Sequence, residues 1–449
     1  VTRIAPLGRI WLASALYAIV YCALGWDRYA TFHSGADLGL FTQSIATVFH
    51  GFSNTTEGGS HFTFHFSPIL YLCAPLLLAM HSPLALVYLQ AIACALTAPP
   101  LFLVARKRVP ESLALAIACV ALLYAPLAGV AFADFHENAF APAATLWLIW
   151  AVDARRWFAA APFFALTLCI KEDQAIILAA AAVYAIVYFA RRRERAGVAF
   201  ATGSLLVALA TFVLFFAVIR PAAGATEMWA PLHFYTWDHL VDAKNSAPWW
   251  SIGRPAYFLE SVVPLVFACF FTPVFLLALP GYAECLFSHE SVTYTMGQHY
   301  AAVWIGYVLA AFAFGIASIY RNRPKLASRL TTASLVLCAV NLIFASPTHW
   351  GHYLRARTAH DAAIDRVLAT LPPGIDVGTH DDLFAHLGFD PNASIGLARN
   401  PRYVLIDPSF ASSYWVGQLV PVLRDGVANG RYRLVWTRER VELYERSRQ

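Results

Sequence analysis

The sequence predicts an all-α polytopic membrane bundle with a small C-terminal α/β domain, and three observations carry that prediction. The 449 residues are 59% hydrophobic and only 13% charged, with a mean hydropathy of +0.56, whereas a soluble domain carries about a quarter charged residues. The apolar residues come in long runs rather than in period-2 or period-3.6 stripes. Basic residues sit in short clusters between those runs, as the positive-inside rule expects of a chain that crosses a bilayer repeatedly. The net charge of +5, spread over such clusters, is no nucleic-acid signature.

About 20 residues cross the hydrocarbon. Runs near that length cover 10–26, 84–105, 112–130, 139–152, 157–170, 174–190, 198–219, 301–320 and 327–345. The first is read as a retained helix, because no small-x-small cleavage site follows it. The stretch 256–287 is too long for one helix and contains Pro264, Pro273 and Pro280. Five basic clusters must share the inner side: Arg3 with Arg9, Arg106 to Arg108, Arg155 with Arg156, Arg191 to Arg195, and Arg321 to Lys325. That requires 256–287 to cross twice, giving about 11 transmembrane helices. It places loops 27–83 and 220–255, the short loop 134–138 and everything after Ser346 on the outer face. The expected division is a helical domain over 1–345 and an extracytoplasmic α/β domain over 346–449.

The eight cysteines fall almost wholly in apolar runs with no CxxC pair, so they read as small core residues. After 346 the pattern changes. A helix is expected over 359–371, ending at Pro372-Pro373-Gly374. Short buried strands are expected over 375–378 and 403–407, and a hairpin over 432–436 and 440–444. No GxGxxG, P-loop or HExxH occurs there.

Chemistry-bearing residues concentrate in the segments expected outside. Asp37 opens an amphipathic stretch, Leu38 to Phe49. It reads either as an N-cap or as a carboxylate serving as general base, and both can hold together. His61 and His65 alternate with phenylalanines, which suggests an extended chain with both rings on one face. Ala133-Asp134-Phe135-His136-Glu137-Asn138 packs two carboxylates and an imidazole between apolar helices. Lys171-Glu172-Asp173 interrupts a continuous apolar stretch. At mid-membrane each would cost about 2.5–3.5 kcal/mol, so the tripeptide belongs at a helix end or against a wet cavity, either as a plain turn or as a cation offered to an anionic group. Trp229, His233, Trp237, Asp238, His239, Lys244, Trp249, Trp250 and Arg254 suit sugar or headgroup contact, and equally an interfacial belt. Gln298-His299-Tyr300 enters the next helix from the outer face.

Taken in order, Gly35-Ala36-Asp37-Leu38-Gly39-Leu40-Phe41 with Gln43, His65-Phe66-Ser67-Pro68, Phe135-His136-Glu137, Lys171-Glu172-Asp173, Pro280 and His299-Tyr300 resemble the domain of unknown function 2079 family of prokaryotic membrane proteins. That family is in turn similar to the GT-C superfamily of membrane glycosyltransferases. The resemblance implies a GT-C-like bundle in a bacterial inner membrane, a polyprenyl-phosphate sugar as donor lipid, and an acceptor on the outer face. It implies Asp37 as base, with Asp134, Glu137 or His136 orienting the acceptor. Lys171 is then the group that meets the leaving phosphate, as pre-placed charge does when charge develops. Glu172 and Asp173 shape the cavity, and His65, Gln43, Arg254 and His299 complete the expected substrate contacts. This chain departs from GT-C members that carry paired Asp-Glu in the first loop, since Leu38 follows Asp37. No cofactor is required, although Asp37, Asp134 and Glu137 offer hard oxygen ligands for a divalent cation. The alternative is a transporter or flippase using the same ions as a path. Against it, no internal repeat is visible and the acids gather on one face.

Overall fold

The computed structural model describes residues 5–226, 251–345, 354–410 and 413–447. The loop residues Trp229 to Trp250 named above, and the junction at 346, lie outside them. The helix Pro6–Ala30 starts with proline in its first turn, where the missing N–H costs nothing. Ile10, Tyr17, Tyr21 and Leu24 bury one side of it, while Trp11, Leu12, Leu16 and Ile19 stay exposed, as lipid-facing side chains do. The helix Ala302–Asn322 is the opposite case. It is buried almost all round, from Ala302 to Ile319, which marks it as the axis of the bundle.

Six helices among the described residues are long and apolar enough to cross a membrane: Pro6–Ala30, Leu84–Ala105, Asp173–Arg191, Arg195–Ala222, His299–Asn322 and Pro324–Phe344. A seventh follows if Glu111–Leu123 and Ala125–Phe132, bent by 47°, are one span. The bend falls where Tyr124 is extended and Pro126 follows. This count is below the expected eleven because apolar runs are cut short. The 157–170 run yields only Trp157–Leu168. The 256–287 stretch forms the helix Gly253–Val262, tight 3-10 turns from Val263 to Ala278, and the helix Leu279–Phe287. Its prolines interrupt regular helix, so neither piece reaches full spanning length as one α-helix. Conversely, the loop expected over 27–83 contains an apolar helix, Leu70–Met80.

In the first loop, the helix Ala36–Ala46 is followed by a small hairpin of β1 (Ser53–Asn54) and β2 (Gly59–Ser60). The C-terminal part forms a five-stranded sheet from β3 (Val377–Thr379), β4 (Ser394–Ile395), β5 (Tyr403–Ile406), β6 (Tyr432–Arg438) and β7 (Val441–Arg446), in the order β4-β3-β5-β7-β6. β3 pairs in parallel with β4 and β5, and the β5–β7 and β6–β7 pairs are antiparallel. The expected helix runs over Ala359–Leu368, started by a capping box of Thr358 and Asp361. The helix Tyr414–Ala428 was not expected.

This sheet domain docks on the first loop. Phe32 is part of its core, beside Ile364, Leu383 and Phe384. The His386 ring lies between Tyr29 and Phe32, 4.0 and 4.1 Å from them. Burial pushes its pKa down to about 3, so the contact is between neutral rings. Gly39 lets the loop helix touch the domain: a Cβ there would stand 2.5 Å from the Phe384 ring and 2.8 Å from the Phe384 carbonyl oxygen. Gly39→Val should therefore loosen docking by about 1–3 kcal/mol. Hydrogen exchange that rises over 381–393 and stays unchanged in the helix Ala302–Asn322 would establish it.

Candidate active site

Four separate turns converge beside the Ala36–Ala46 helix. The first is the start of that helix. Gly35 stands at its N-cap without a side-chain bond, and Asp37 sits inside the first turn. The expected cap by Asp37 is not made. Asp134, from a loop 96 residues away, accepts the Leu38 N–H at 2.9 Å. Capping by a distant carboxylate satisfies the open helix end and frees Asp37, which has no hydrogen bond or ion pair among the described residues. Arg28 steadies this corner, donating to the His33 and Phe132 carbonyls at 2.7 and 2.6 Å and standing 3.8 Å from Asp134. Burial first, then the charges of Asp134 and Glu137, push the Asp37 carboxyl up to about 7.

The second turn, 133–138, is clamped by Gln90 of the helix Leu84–Ala95. Its Nε2 donates to the Ala133 carbonyl at 2.8 Å and its Oε1 accepts the His136 N–H at 3.0 Å. Glu137, wholly buried, accepts from the Ser67 hydroxyl at 3.1 Å and lies 3.1 Å from His136 Nδ1. Burial raises the Glu137 carboxyl and lowers His136 well below the ordinary histidine range, so this contact is not a charged pair.

The third turn carries His61 and His65. Residues His61–Thr63 form a 3-10 turn rather than the expected extended chain. Each imidazole meets a carboxylate that spacing alone did not reveal. His61 Nδ1 is 3.0 Å from both Glu57 oxygens. Glu172 binds His65 Nδ1 through one oxygen and accepts the Phe66 N–H through the other, both at 2.8 Å. Burial opposes the charge on Glu172, but His65 and Lys171 outweigh it and hold the carboxyl down to about 2.

The fourth turn supplies Lys171, almost fully buried, with its Nζ 3.7 Å from Asp173. Burial alone would lower its pKa; the charges of Asp173, Glu172 and Glu137 overcome this and keep the ammonium well above the lysine range. His299 completes the cluster, its ring stacked on His136 at 3.6 Å and 9°. The chain can bring it there because Gly129 packs against Gly297: a Cβ on Gly129 would lie 2.5 Å from the Gly297 Cα.

Asp37, Asp134, His136, Glu137, His65, Lys171, Glu172, Asp173 and His299 are thus gathered, while two expected substrate contacts are elsewhere. Gln43 is buried in the docking seam. Its Nε2 donates to the Asp390 and Ala393 carbonyls and its Oε1 accepts from the Thr55 amide and hydroxyl, which uses all its hydrogen-bonding capacity. Arg254 holds the Leu286 and Ser288 carbonyls at the C-terminal end of the helix Leu279–Phe287 and covers the Tyr294 ring at 4.5 Å. The acids expected to hold a cation also fit poorly. Asp134 spends its oxygens on Leu38 and Arg28, and Asp37, Asp134 and Glu137 do not bring three ligand atoms within 4.8 Å of one another.

Residues 28–415 match the model of a family described as "Predicted membrane protein (DUF2079)". The chain belongs to this family. No curated protein matches the DUF2079 chain in sequence. Its fold is similar to that of ArnT from Cupriavidus metallidurans. With the structure bound to undecaprenyl phosphate it shares 12% identity and a TM-score of 0.58 over 96% of this chain and 97% of the other. With the apo structure the values are 13% and 0.55 over 96% and 98%. The archaeal oligosaccharyltransferase AglB from Archaeoglobus fulgidus aligns at 12% identity over 89% of this chain and 70% of that one, with a TM-score of 0.39. The DUF2079 protein is a predicted multi-pass membrane protein whose helical fold is similar to that of ArnT.

Sequence reading missed several residues of the DUF2079 site. Glu284, from the helix Leu279–Phe287, acts on both Asp173 and Lys171. An acid inside a proline-broken apolar stretch carried the same signal as Lys171. Gln90 and Arg28 gave none, since the groups they hold together, at 132–136, lie far along the chain. Gln90→Ala leaves the Ala133 carbonyl and His136 amide without partners, at about 1–3 kcal/mol. The expected result is a lower Tm with unchanged membrane insertion, and a larger loss in Gln90→Ala than in the exposed Glu111→Ala.

Proposed function

We propose that this chain is a membrane glycosyltransferase of GT-C type, moving a sugar from a polyprenyl-phosphate donor to a hydroxyl acceptor on the extracytoplasmic face. The observation that carries the reading is the pairing of an unbonded acid with a buried cation across one cluster: Asp37 on one side, Lys171 on the other, with Glu137 acting on both. In support, ArnT, which shares the fold, was crystallised with undecaprenyl phosphate.

The chemistry follows from these positions. The Asp37 carboxylate takes the proton of the acceptor hydroxyl as its oxygen attacks the anomeric carbon. The bond from that carbon to the phosphate oxygen breaks, and the phosphate leaves with the electron pair. Lys171 meets the charge that develops there, already held 3.7 Å from Asp173 and kept charged by the acids around it. A base with a pKa near the working pH is well matched to this task. Neutral His136, stacked on His299, offers a ring face and a nitrogen to orient the sugar or the acceptor.

The test uses protein in lipid with labelled polyprenyl-phosphate sugars, following polyprenyl-phosphate release. Asp37→Asn should lower the rate about 10²–10⁴-fold in a folded protein. Solute or lipid movement that persists in Asp37→Asn, without any release, would favour transport instead.

The pH profile gives a second check. The folded pKa of Asp37 is raised, so the active carboxylate is scarce in acid and accumulates as pH rises through about 7. The rate should climb tenfold per pH unit below that point and level off above it. Asp134→Asn removes a neighbouring negative charge and should move this limb to lower pH; a limb that stays in place assigns the titration to another group.

A further inference from the structure

A second cluster lies in the C-terminal domain, outside everything assigned above. β3 is flanked by β4 on one side and β5 on the other, although the chain visits them in the order β3, β4, β5. The connections therefore leave in opposite directions at the carboxyl ends of β3 and β5, the topological position where parallel sheets take ligands. His380, Asp381 and Asp382 follow β3 directly, and Asp407 follows β5.

His380 is fully buried, and its Nδ1 has no hydrogen-bond partner. That nitrogen points at two carboxylates, 3.4 Å from Asp382 Oδ2 and 3.8 Å from Asp381 Oδ1. All three ligand atoms lie within 4.8 Å of one another. Four ligands placed tetrahedrally at about 2.1 Å from an ion stand about 3.4 Å apart, so the two distances from Nδ1 are close to the edges of such a shell.

We propose that His380, Asp381 and Asp382 form a binding site for one divalent transition-metal ion of the zinc type. An imidazole nitrogen with two carboxylate oxygens suits such an ion better than calcium or magnesium, which prefer oxygen alone. Asp381 and Asp382 remain partly open to solvent, with side-chain exposures of 28% and 16%. That leaves an entry path and room for a fourth, water ligand. Ser413 donates to Asp381 Oδ1 at 2.5 Å and orients that carboxylate, as outer-shell partners of metal ligands do. The other His380 nitrogen, Nε2, is 3.4 Å from the Asp407 amide. Metal on Nδ1 places the ring proton on Nε2, so this long contact is given up on binding.

The site also touches the first loop. The Phe410 ring stands between His380, at 5.3 Å, and His33, at 6.1 Å. An ion here would stiffen the seam four residues before Asp37.

The full-length protein in lipid nanodiscs, stripped with chelator, is titrated with zinc chloride, and with cobalt chloride to read the visible band of a tetrahedral site. One ion per chain is expected. Asp382→Asn should weaken zinc by more than the about 10–100-fold that loss of a supporting hydrogen bond costs, and Ser413→Ala by an amount within that range. Asp37→Asn should bind as the parent does, which separates this site from the acids beside the first loop. No saturable binding by the parent would overturn the proposal and leave Nδ1 as an N–H donor to Asp382. Equal binding by parent and Asp382→Asn, an adventitious ion only, would overturn it too.

Discussion

Polar groups withdrawn from water must find partners inside the protein, and that demand shapes this molecule's functional end. The convergent turns carry open amides and carbonyls where apolar helices surround them. Side chains from elsewhere close them: Asp134 on Leu38, Gln90 on Ala133 and His136, and Glu172 on Phe66 while it also holds the His65 ring. The same atoms that satisfy the backbone hold the acids and imidazoles at fixed separations. A buried carboxylate stripped of such partners costs several kcal/mol. The helical bundle supplies the walls, but these stitches set the geometry.

Within that frame, similar residues receive different roles. Glu172 is held ionised by an imidazole, an ammonium and a backbone amide, and serves as structure. Asp37, a few turns away, has no such partner and faces two like charges, so it gains and loses its proton near neutrality. Environments that push two carboxyl groups apart are how one site comes to hold both a fixed charge and a titrating acid. His136 is driven the other way and remains an uncharged ring.

The sequence was most informative where physics is local. Long apolar runs announced the membrane helices, and Leu84–Ala105 has the expected limits. The strands around 377 and 403 were legible as short buried runs, and those over 432–446 from alternation around a turn. Lys171, Glu172 and Asp173 were legible from their cost in lipid. What failed was pairing across distance. Nothing near Asp37 says that Asp134 will cap its helix, and nothing near Gln43 says that it will face Ala393. The expected count of crossings is not confirmed, for a related reason. Charge parity counts runs, while the prolines of 256–287 decide how far a run stays helical.

The contact between Gln43 and Asp390 joins residues 347 positions apart. During synthesis the first loop emerges long before its partner exists. Until the sheet domain has been made and folded, Gln43 and Thr55 lack their closing acceptors and Phe32 lacks its core. The seam between the first loop and the sheet domain is therefore closed last, whatever the order in which the helices insert. A chain halted before residue 390 would hold every acid and imidazole of the cluster, yet its first loop would lack the clamp. Completion of the polypeptide is thus coupled to closure of its first loop, so unfinished copies in the membrane hold that loop unclamped.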